Sequence, residues 1–359
     1  MHLFLTFLFI ILISTKSFSI DTKASQAIVV DFNTKEVLFE KNADELVPPA
    51  SMTKIMTVYA AFDRIQKTNL SIKDTCIISA KSYKMGGSRT FLEIDEKVTI
   101  EDLLKGIIIQ SGNDASVALA ECLAGTESDF ATLMNVYSNK LGMKNSNFIN
   151  SSGWPNDNHY STVRDLAIVS NALIKDFDNL YNYFKLKQFT YNEINQPNRN
   201  KLLSKVSGAD GLKTGYTKKS GWGISGSAIR DGRRVTVVLN GTNSSRSRLN
   251  ESVNLLNWAF SQTSQNTLLE KNQLIKKADV WLGNQATIGL IVEKKIISIL
   301  SFDQIQLMES EIEYENPISA PIKRGQKIGK MNINIPGKKS IEVNLLAEEE
   351  YSNLRLKVD

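Results

Sequence analysis

The sequence predicts a two-domain protein: a mixed α/β (α+β) domain in which helices cover a sheet, followed by a small all-β sandwich. The chain has 359 residues, more than one ordinary hydrophobic core requires. In the first 262 residues, helical spacing of apolar residues fills the middle and strand-like segments stand at both ends. Beyond residue 272 the pattern is mostly β and is interrupted by Gly and Pro.

Composition indicates a globular chain and argues against a nucleic-acid-binding protein. Hydrophobic residues make up 42% and charged residues 23%, and the net charge is +5. The charges are interspersed, and no block of Lys and Arg marks a nucleic-acid surface.

The N-terminus has the pattern of a secretory signal. Residues 3–13 are nearly all apolar, but eleven residues are short for a membrane span, which needs about 20. Small residues at Ser17 and Ser19 suit a signal peptidase. We therefore expect a cleaved signal over residues 1–19 and secretion across the cytoplasmic membrane to the periplasm or cell envelope. An uncleaved anchor is the alternative.

The first elements after this segment are a hairpin and a series of helices. Strands are predicted at 27–31 and 36–39, around a turn at 33–35. Pro48 and Pro49 then open a helix, since proline suits a first helical turn. Helical spacing predicts helices over roughly 50–66, 101–124, 127–141 and 162–175.

The second half begins with strands and ends in the β sandwich. Strands are expected at 212–216, 222–229 and 234–239, joined by short turns, with a helix at 247–261. Together these complete a first domain over 20–262. Polar residues 263–272 are expected to form a linker. The sandwich is expected over 273–359, where residues 331–335 and 341–345 alternate between apolar and polar side chains.

Histidine and cysteine usage excludes two classes of site. The only histidines are His2 and His159, and His2 lies in the predicted signal, so no zinc site, other metal site or Ser-His-Asp triad is expected. No cofactor is expected either. Cys76 and Cys122 could pair in an oxidising compartment. The Ala- and Leu-rich surroundings of Cys122 instead favour a small buried hydrophobic residue.

The first chemical motif is Ser51-Met52-Thr53-Lys54 at the start of a predicted helix. Residues three apart lie one turn apart on the same face, so the Lys54 amine can reach the Ser51 hydroxyl. A neutral amine is a competent base for a serine nucleophile. The N-terminal N–H groups of the helix, that of Ser51 included, can stabilise an oxyanion. Alone, this motif equally fits a solvent-exposed Ser and Lys on a first helical turn.

The second motif is Ser111-Gly112-Asn113, a polar turn after the apolar run 107–109. The Ser111 hydroxyl can relay a proton, and the Asn113 amide can hold a peptide carbonyl of the substrate. Alone, this motif is typical of an ordinary helix N-cap.

The third motif is Lys213-Thr214-Gly215 on a predicted strand whose edge could pair with an extended peptide. Lys213 would depress the pKa of Lys54, and Thr214 would offer a hydroxyl to a carboxylate. Gly215 would let a ligand approach the backbone closely. The similar Lys219-Ser220-Gly221 is interpreted as a hairpin turn, because predicted strands flank it on both sides.

The three motifs together carry more weight than each alone. They occur in the order S-x-x-K, S-x-N, K-T-G, separated by 60 and 102 residues, the set found in β-lactamases and penicillin-binding proteins. The chain resembles the low-molecular-mass penicillin-binding proteins, the D-alanyl-D-alanine carboxypeptidases of serine peptidase family S11. The resemblance covers nearly the whole chain after the signal and includes residues 50–57, 110–115, 198–200, 210–215 and 246–252.

This resemblance implies a β-lactamase/transpeptidase-like catalytic domain and assigns roles. It implies acylation of Ser51, with Lys54 as base, and removal of the terminal D-alanine from peptidoglycan stem peptides ending in D-Ala-D-Ala. It implies covalent inhibition by β-lactam antibiotics. The remaining implied roles are those of cleft residues Ser111 and Asn113, substrate-binding residues Lys213, Thr214 and Gly215, the backbone N–H of Tyr216 in the oxyanion hole, Arg248 at the terminal carboxylate, Arg199 as electrostatic support, and a mobile loop at 86–89.

Two departures from the family pattern limit what the resemblance implies. Some members have His where this chain has Tyr216, so only a backbone role is carried over. Many members end in a basic amphipathic helix that binds the membrane. Residues 345–359 are acidic and show no broad apolar face, so a C-terminal anchor of that kind is not expected.

Three alternatives remain at this point. A class A β-lactamase would need a deacylating Glu, and no E-x-x-L-N occurs between Ser111 and Lys213. A D,D-endopeptidase would use the same residues on a cross-link, although Arg248 favours a free carboxylate. A non-catalytic peptidoglycan-binding scaffold predicts a broken motif, and all three motifs are intact.

Overall fold

The computed structural model describes residues 20–353. The predicted signal at 1–19 and the last six residues lie outside the described residues. No helix within 20–353 has both the length and the apolar character needed to cross a membrane.

The elements up to residue 262 include the predicted strands and helices in the predicted order, together with short strands and short helices that the sequence pattern did not predict. The strands are β1 (Gln26–Asp31), β2 (Val37–Lys41), β3 (Thr75–Ile77), β4 (Lys97–Thr99), β5 (Gln188–Tyr191), β6 (Ile194–Pro197), β7 (Ala209–Thr217), β8 (Gly221–Arg230) and β9 (Arg233–Thr242). The helices are α1 (Lys54–Lys67), α2 (Ala80–Tyr83), α3 (Ile100–Lys105), α4 (Asn113–Ala124), α5 (Glu127–Leu141), α6 (Val163–Asp176), α7 (Asp178–Tyr181), α8 (Leu202–Lys205) and α9 (Ser245–Gln262).

A five-stranded antiparallel sheet in the order β2-β1-β9-β8-β7 forms the centre of this part. Successive side chains of a strand point to opposite faces, so the apolar run of β9 serves two cores. Val237 packs with Leu255 and Leu256 of α9, whereas Val238 packs with Leu166 of α6. Strand β7 lies at the edge of the sheet, and one of its sides is therefore open to other partners.

A second layer, formed mainly by helices, packs around α1. The apolar faces of α1, α3, α4, α5 and α6 share one buried cluster. Cys76 of β3 and Cys122 of α4 form a disulfide bond within this layer. The interpretation of Cys122 as a free buried residue is therefore wrong, because β3 lies directly beside α4.

The predicted helix over 101–124 is interrupted at the second motif. α3 ends at Lys105 and a π-helical turn covers Gly106–Gln110, before α4 begins at Asn113. A Cβ at Gly106 or Gly112 would lie only 2.4 or 2.1 Å from the Thr90 hydroxyl oxygen. The two glycines thus allow the Thr90 side chain to lie against this break.

The C-terminal region is all-β apart from one short helix. Its elements are β10 (Thr263–Leu269), β11 (Leu274–Trp281), β12 (Thr287–Val292), β13 (Ile296–Ser301), α10 (Phe302–Leu307), β14 (Glu309–Tyr314), β15 (Ile318–Ser319), β16 (Lys327–Asn334) and β17 (Ile341–Ala347). A six-stranded sheet in the order β14-β16-β17-β12-β11-β15 and the β10–β13 pair share one apolar core.

The expected linker at 263–272 is wrong, because β10 follows α9 without a break and pairs with β13. Its polar side chains are mostly solvent-exposed or half-buried, while Leu269 enters the core. At the junction with the first part, Glu36 accepts hydrogen bonds from the Ile299 amide, the Ser298 hydroxyl and the Lys338 amine.

Candidate active site

A cavity of 1100 Å³ lies between the β7 edge of the sheet and the helical layer. All three motifs contribute to its lining. The predicted site residues in this lining are Ser51, Ser111, Asn113, Thr214, Gly215, Tyr216 and Arg248. The other two predicted site residues, Lys54 and Lys213, are buried below the surface.

Ser51 lies in a 3-10 turn, Ala50–Thr53, that leads directly into α1. Lys54 is the first residue of α1, and its Nζ donates a hydrogen bond to Ser51 Oγ over 3.1 Å. The three-residue spacing therefore brings the nucleophile and the amine together as predicted.

The Lys54 amine is fully buried and held by three acceptors. Besides Ser51 Oγ, its Nζ donates to Asn113 Oδ1 over 2.7 Å and to the Ser152 carbonyl over 2.6 Å. Burial lowers the pKa of Lys54 to about 7, because removal from water disfavours the charged form. At neutral pH a large fraction of this amine is unprotonated and can accept the Ser51 proton.

The neighbouring charges act on the Lys54 pKa in opposite directions. Asp114 and Glu127 raise this pKa, whereas the cation that lowers it is Arg199. The sequence-based expectation assigned that effect to Lys213. Burial is the largest cause, Arg199 adds to it, and the repulsion between Lys54 and Lys213 contributes to the lowered pKa of Lys213.

The second motif connects the base to a neighbouring loop. Ser111 adopts a left-handed conformation with φ 70° and ends the π-helical turn. Asn113 accepts from Lys54 through Oδ1 and donates through Nδ2 to the Gly86 carbonyl over 2.8 Å. The oxygen and the nitrogen of the Asn113 side-chain amide therefore each make a hydrogen bond, and the bond to Gly86 holds the 86–89 loop against the site.

Asp114 fixes the break between α3 and α4 to the segment at residues 90–91. Its buried carboxylate accepts from the backbone N–H groups of Thr90, at 2.8 and 2.9 Å, and of Phe91, at 3.0 Å. Asp114 follows directly after the motif, yet its role was missed because its partners lie more than twenty residues earlier.

The third motif lies on edge strand β7 against the Ser51 turn. Lys213 and Thr214 are both buried. A Cβ at Gly215 would lie 2.9 Å from the Pro49 carbonyl oxygen and 3.3 Å from Ala50 Cβ. Gly215 thus allows β7 to pack closely on the turn that carries Ser51, whereas the sequence suggested close approach of a ligand.

Arg248 reaches from α9 to the same strand. Its Nη1 donates weakly to the carbonyls of Gly215, at 3.4 Å, and Gly223, at 3.5 Å, and its guanidinium lies 5.2 Å from the Trp222 ring centre. Arg246, two residues earlier, is exposed. Arg248 is buried. Burial and the charge of Arg199 lower its pKa to about 10.

Lys213 and Arg248 have no acidic partner among residues 20–353 in the ion pairs of the structure. The pKa of Lys213 is well below its ordinary value because of burial and the charges of Lys54, Arg199 and Arg248. Arg199, Lys213 and Arg248 therefore converge without an ion-pair partner among residues 20–353. Such a cluster favours an anionic ligand, which would restore the charge of Lys213.

Tyr216 follows the third motif directly and lies at the solvent-exposed side of the cavity. Its ring is half exposed and stacks on Trp222 with ring centres 4.2 Å apart. The side chain therefore forms part of the cleft wall, and its backbone N–H follows Gly215 beside the Ser51 turn.

Three further contributors to the site lack a local sequence pattern. The Ser152 carbonyl holds Lys54, and Trp154 lines the cavity. His159 bonds Thr53 Oγ1 through Nε2, over 2.8 Å, and accepts from the Ile149 amide through Nδ1. His159 therefore fastens the loop that contains Ser152 to the Ser51 turn. Among residues 20–353, no group of His, Cys, Asp and Glu could hold a metal ion.

Comparisons with known proteins match both parts of the chain. A family described as D-alanyl-D-alanine carboxypeptidase matches residues 13–243, and the penicillin-binding protein 5 C-terminal domain matches residues 264–353. D-alanyl-D-alanine carboxypeptidase DacF of Bacillus subtilis is 35% identical over 91% of this chain and 86% of that protein.

Solved structures agree in fold. D-alanyl-D-alanine carboxypeptidase DacD from Francisella tularensis has a TM-score of 0.82 at 28% identity, covering 93% of this chain and 95% of that one. Penicillin-binding protein D2 from Listeria monocytogenes, solved in its ampicillin-bound form, has a TM-score of 0.62 at 27% identity. That match covers 68% of this chain and 99% of the Listeria chain.

Proposed function

The chain belongs to the D-alanyl-D-alanine carboxypeptidase family, peptidase family S11, and from this we propose how its site acts on peptidoglycan. The protein is a serine-type D-Ala-D-Ala carboxypeptidase. Its substrates are peptidoglycan stem peptides ending in D-Ala-D-Ala, from which it removes the terminal D-alanine. The buried Lys54 amine, 3.1 Å from Ser51 Oγ and with a pKa of about 7, is the observation that carries this mechanism.

Acylation begins with Lys54 in its neutral form. Lys54 Nζ takes the Ser51 hydroxyl proton as Ser51 Oγ attacks the carbonyl carbon between the two D-alanines. The backbone N–H groups of Ser51 and Tyr216 donate to the resulting oxyanion. The C–N bond then breaks, and the leaving D-alanine nitrogen receives a proton by way of Ser111.

Deacylation returns the site to its starting state. Water attacks the carbonyl carbon of the Ser51 ester and gives a proton to neutral Lys54 Nζ. The bond to Ser51 Oγ then breaks, Lys54 returns a proton to Ser51 Oγ, and the shortened stem peptide is released. Asn113 holds a peptide carbonyl of the substrate in both steps. During acylation, Arg248, Lys213 and Thr214 bind the carboxylate of the terminal D-alanine, which leaves before water attacks the ester.

The same geometry supports covalent inhibition by β-lactams. The Listeria relative has been solved with ampicillin bound. No Asp or Glu of the described part of the chain lines the cavity, so this lining offers no carboxylate to activate a deacylating water. We therefore expect a long-lived penicilloyl-enzyme, unlike that of a class A β-lactamase.

We place the enzyme in the periplasm or cell envelope. The predicted signal over residues 1–19 supports export. The Cys76–Cys122 disulfide supports an oxidising compartment.

Product analysis separates this function from its alternatives. The purified protein is incubated with a pentapeptide ending in D-Ala-D-Ala and, separately, with a cross-linked peptide dimer. Mass spectrometry should show free D-alanine and tetrapeptide forming faster than the dimer is cut. Preferential cleavage of the dimer would indicate an endopeptidase, and no cleavage of either substrate would indicate a scaffold.

A further inference from the structure

The charge of the cavity exceeds what one terminal carboxylate requires. Within residues 20–353, four cationic residues line it, namely Arg199, Lys201, Lys218 and Arg248, and no acidic residue does. The proposed function uses Arg248 for the terminal carboxylate. Arg199 lies close enough to lower the pKa values of Lys54, Lys213 and Arg248, so it belongs to the same group of charges. Lys201 and Lys218 remain without a role.

The direction of β7 indicates which part of a bound peptide would lie beside Lys218. A peptide that pairs antiparallel with β7 and places its reacting carbonyl at Ser51 has its carboxyl terminus toward Lys213. Its preceding residues then run toward Thr217 and Lys218. At about 3.3 Å per residue, Lys218 lies roughly 10 Å along the strand direction from Gly215, within reach of the residue before the D-Ala-D-Ala.

The turn that carries Lys218 is held in place by its own contacts. The Ser220 amide donates to Thr217 Oγ1 over 3.0 Å, and the hydroxyl oxygens of Thr217 and Ser220 are 2.7 Å apart. Lys219 pairs with Asp157 over 3.0 Å and so joins the turn to the loop on the other side of the cleft.

The two adjacent lysines are therefore unequal. The charge of Lys219 is matched by Asp157, and Lys219 is not among the cavity-lining residues. Lys218 is exposed and lines the cavity, and it takes part in no ion pair within residues 20–353. Lys218 is thus a cation available to a ligand at the end of the cleft where the upstream part of the peptide enters.

We propose that Lys218 binds a carboxylate on the side chain of the residue preceding D-Ala-D-Ala, so that the enzyme prefers acidic stem peptides. This specificity rests on the proposed carboxypeptidase function. It names one feature of the substrate class: a second negative charge one residue upstream of the penultimate D-alanine.

The test uses a pair of probes that differ in one charge. N-acetyl-L-Glu-D-Ala-D-Ala and N-acetyl-L-Gln-D-Ala-D-Ala are compared by D-alanine release at low and high salt. The wild-type protein should favour the Glu probe in kcat/KM by roughly twofold to fivefold, as expected for one solvent-accessible charge pair. The ratio should fall as salt screens the pair.

Three variants assign the preference. Lys218→Ala should bring the Glu-to-Gln ratio close to one, whereas Lys219→Ala should keep the wild-type ratio. Equal use of the two probes by the wild type would overturn the proposal. Loss of the preference in Lys201→Ala, with Lys218→Ala keeping it, would also overturn it. Turnover of the Gln probe reports the carboxypeptidase function separately, since that probe lacks the second charge.

Discussion

The protonation state of a single residue, Lys54, determines how the activity of the enzyme depends on pH. Its pKa is lowered to about 7, so the amine is protonated and inactive as a base below that pH and neutral above it. We expect kcat/KM to rise with pH along a limb centred near 7 and then level off. Steady-state D-alanine release across pH 5–9 measures this limb.

A matched substitution tests whether the neutral amine is required. Lys54→Arg keeps a cation at the position but stays protonated at every accessible pH. Its kcat/KM should be lower by about 10²–10⁴-fold, the usual contribution of general base catalysis. Near wild-type turnover in this variant would show that Lys54 is not the base.

Arg248 should determine the preference for a free carboxyl terminus. It is buried beside β7 and has no acidic partner in the described part of the chain, and charge-assisted bonds of this kind contribute about 1.5–3 kcal/mol each. Arg248→Ala should lose most of the preference for a D-Ala-D-Ala acid over its C-terminal amide. Relative kcat/KM values for the two peptides measure the change.

Arg246 provides the control for Arg248. It lies on the same helix turn but is exposed. Arg246→Ala should therefore keep the wild-type preference for the free acid. A loss of preference in Arg246→Ala, or full retention in Arg248→Ala, would refute the assignment.

At the residue scale, the sequence predicted the contacts that depend on short spacing. Ser51 and Lys54 meet because one helical turn separates them. It could not predict that the Ser152 carbonyl holds Lys54, since 98 residues separate the two and any residue type offers a carbonyl. The origin of the Lys54 pKa was missed for a similar reason, because burial depends on the whole fold.

At the scale of elements, Asp114 fastens the break between α3 and α4 to residues 90–91. Asp114→Asn replaces one acceptor oxygen by an amino group that faces backbone N–H donors, so we expect a loss of about 1–3 kcal/mol in the free energy of unfolding. Urea denaturation measures this loss.

The same substitution should also move the pH profile. Asp114 raises the pKa of Lys54, so removing its charge lowers that pKa and shifts the acid limb of kcat/KM to lower pH. Asp129→Asn on the exposed side of α5 is the control and should leave the limb in place. An unshifted limb in Asp114→Asn would argue against electrostatic coupling of the two residues.

The elements themselves were predicted best where apolar spacing is regular. The helix expected over 127–141 is α5, Glu127–Leu141, and the strands expected at 222–229 and 234–239 are β8 and β9 with slightly different ends. The expectation failed at 263–272, because β10 is stabilised by backbone pairing with β13 while most of its side chains are polar. Pairing between distant strands leaves little trace in local composition.

At the scale of the whole molecule, Glu36 links the β1–β2 turn to the C-terminal sandwich. Its carboxylate accepts from Ile299, Ser298 and Lys338, all in the sandwich. Glu36→Ala should lower the free energy of unfolding by about 1–2 kcal/mol, because it leaves a buried amide and a cation without their acceptor. Since Glu36 does not line the active-site cavity, kcat/KM should stay close to that of the wild type.

A parallel loss of activity would show that the junction supports catalysis as well as stability.

The central claim, a Ser51 acyl-enzyme formed by a buried lysine base, is tested most directly by covalent labelling. The mature protein is incubated with benzylpenicillin, and its intact mass and proteolytic peptides are measured by mass spectrometry. We expect one penicilloyl adduct per chain, located on Ser51 and persisting long after free antibiotic is removed. An adduct on another residue, or no adduct in folded protein, would contradict the account.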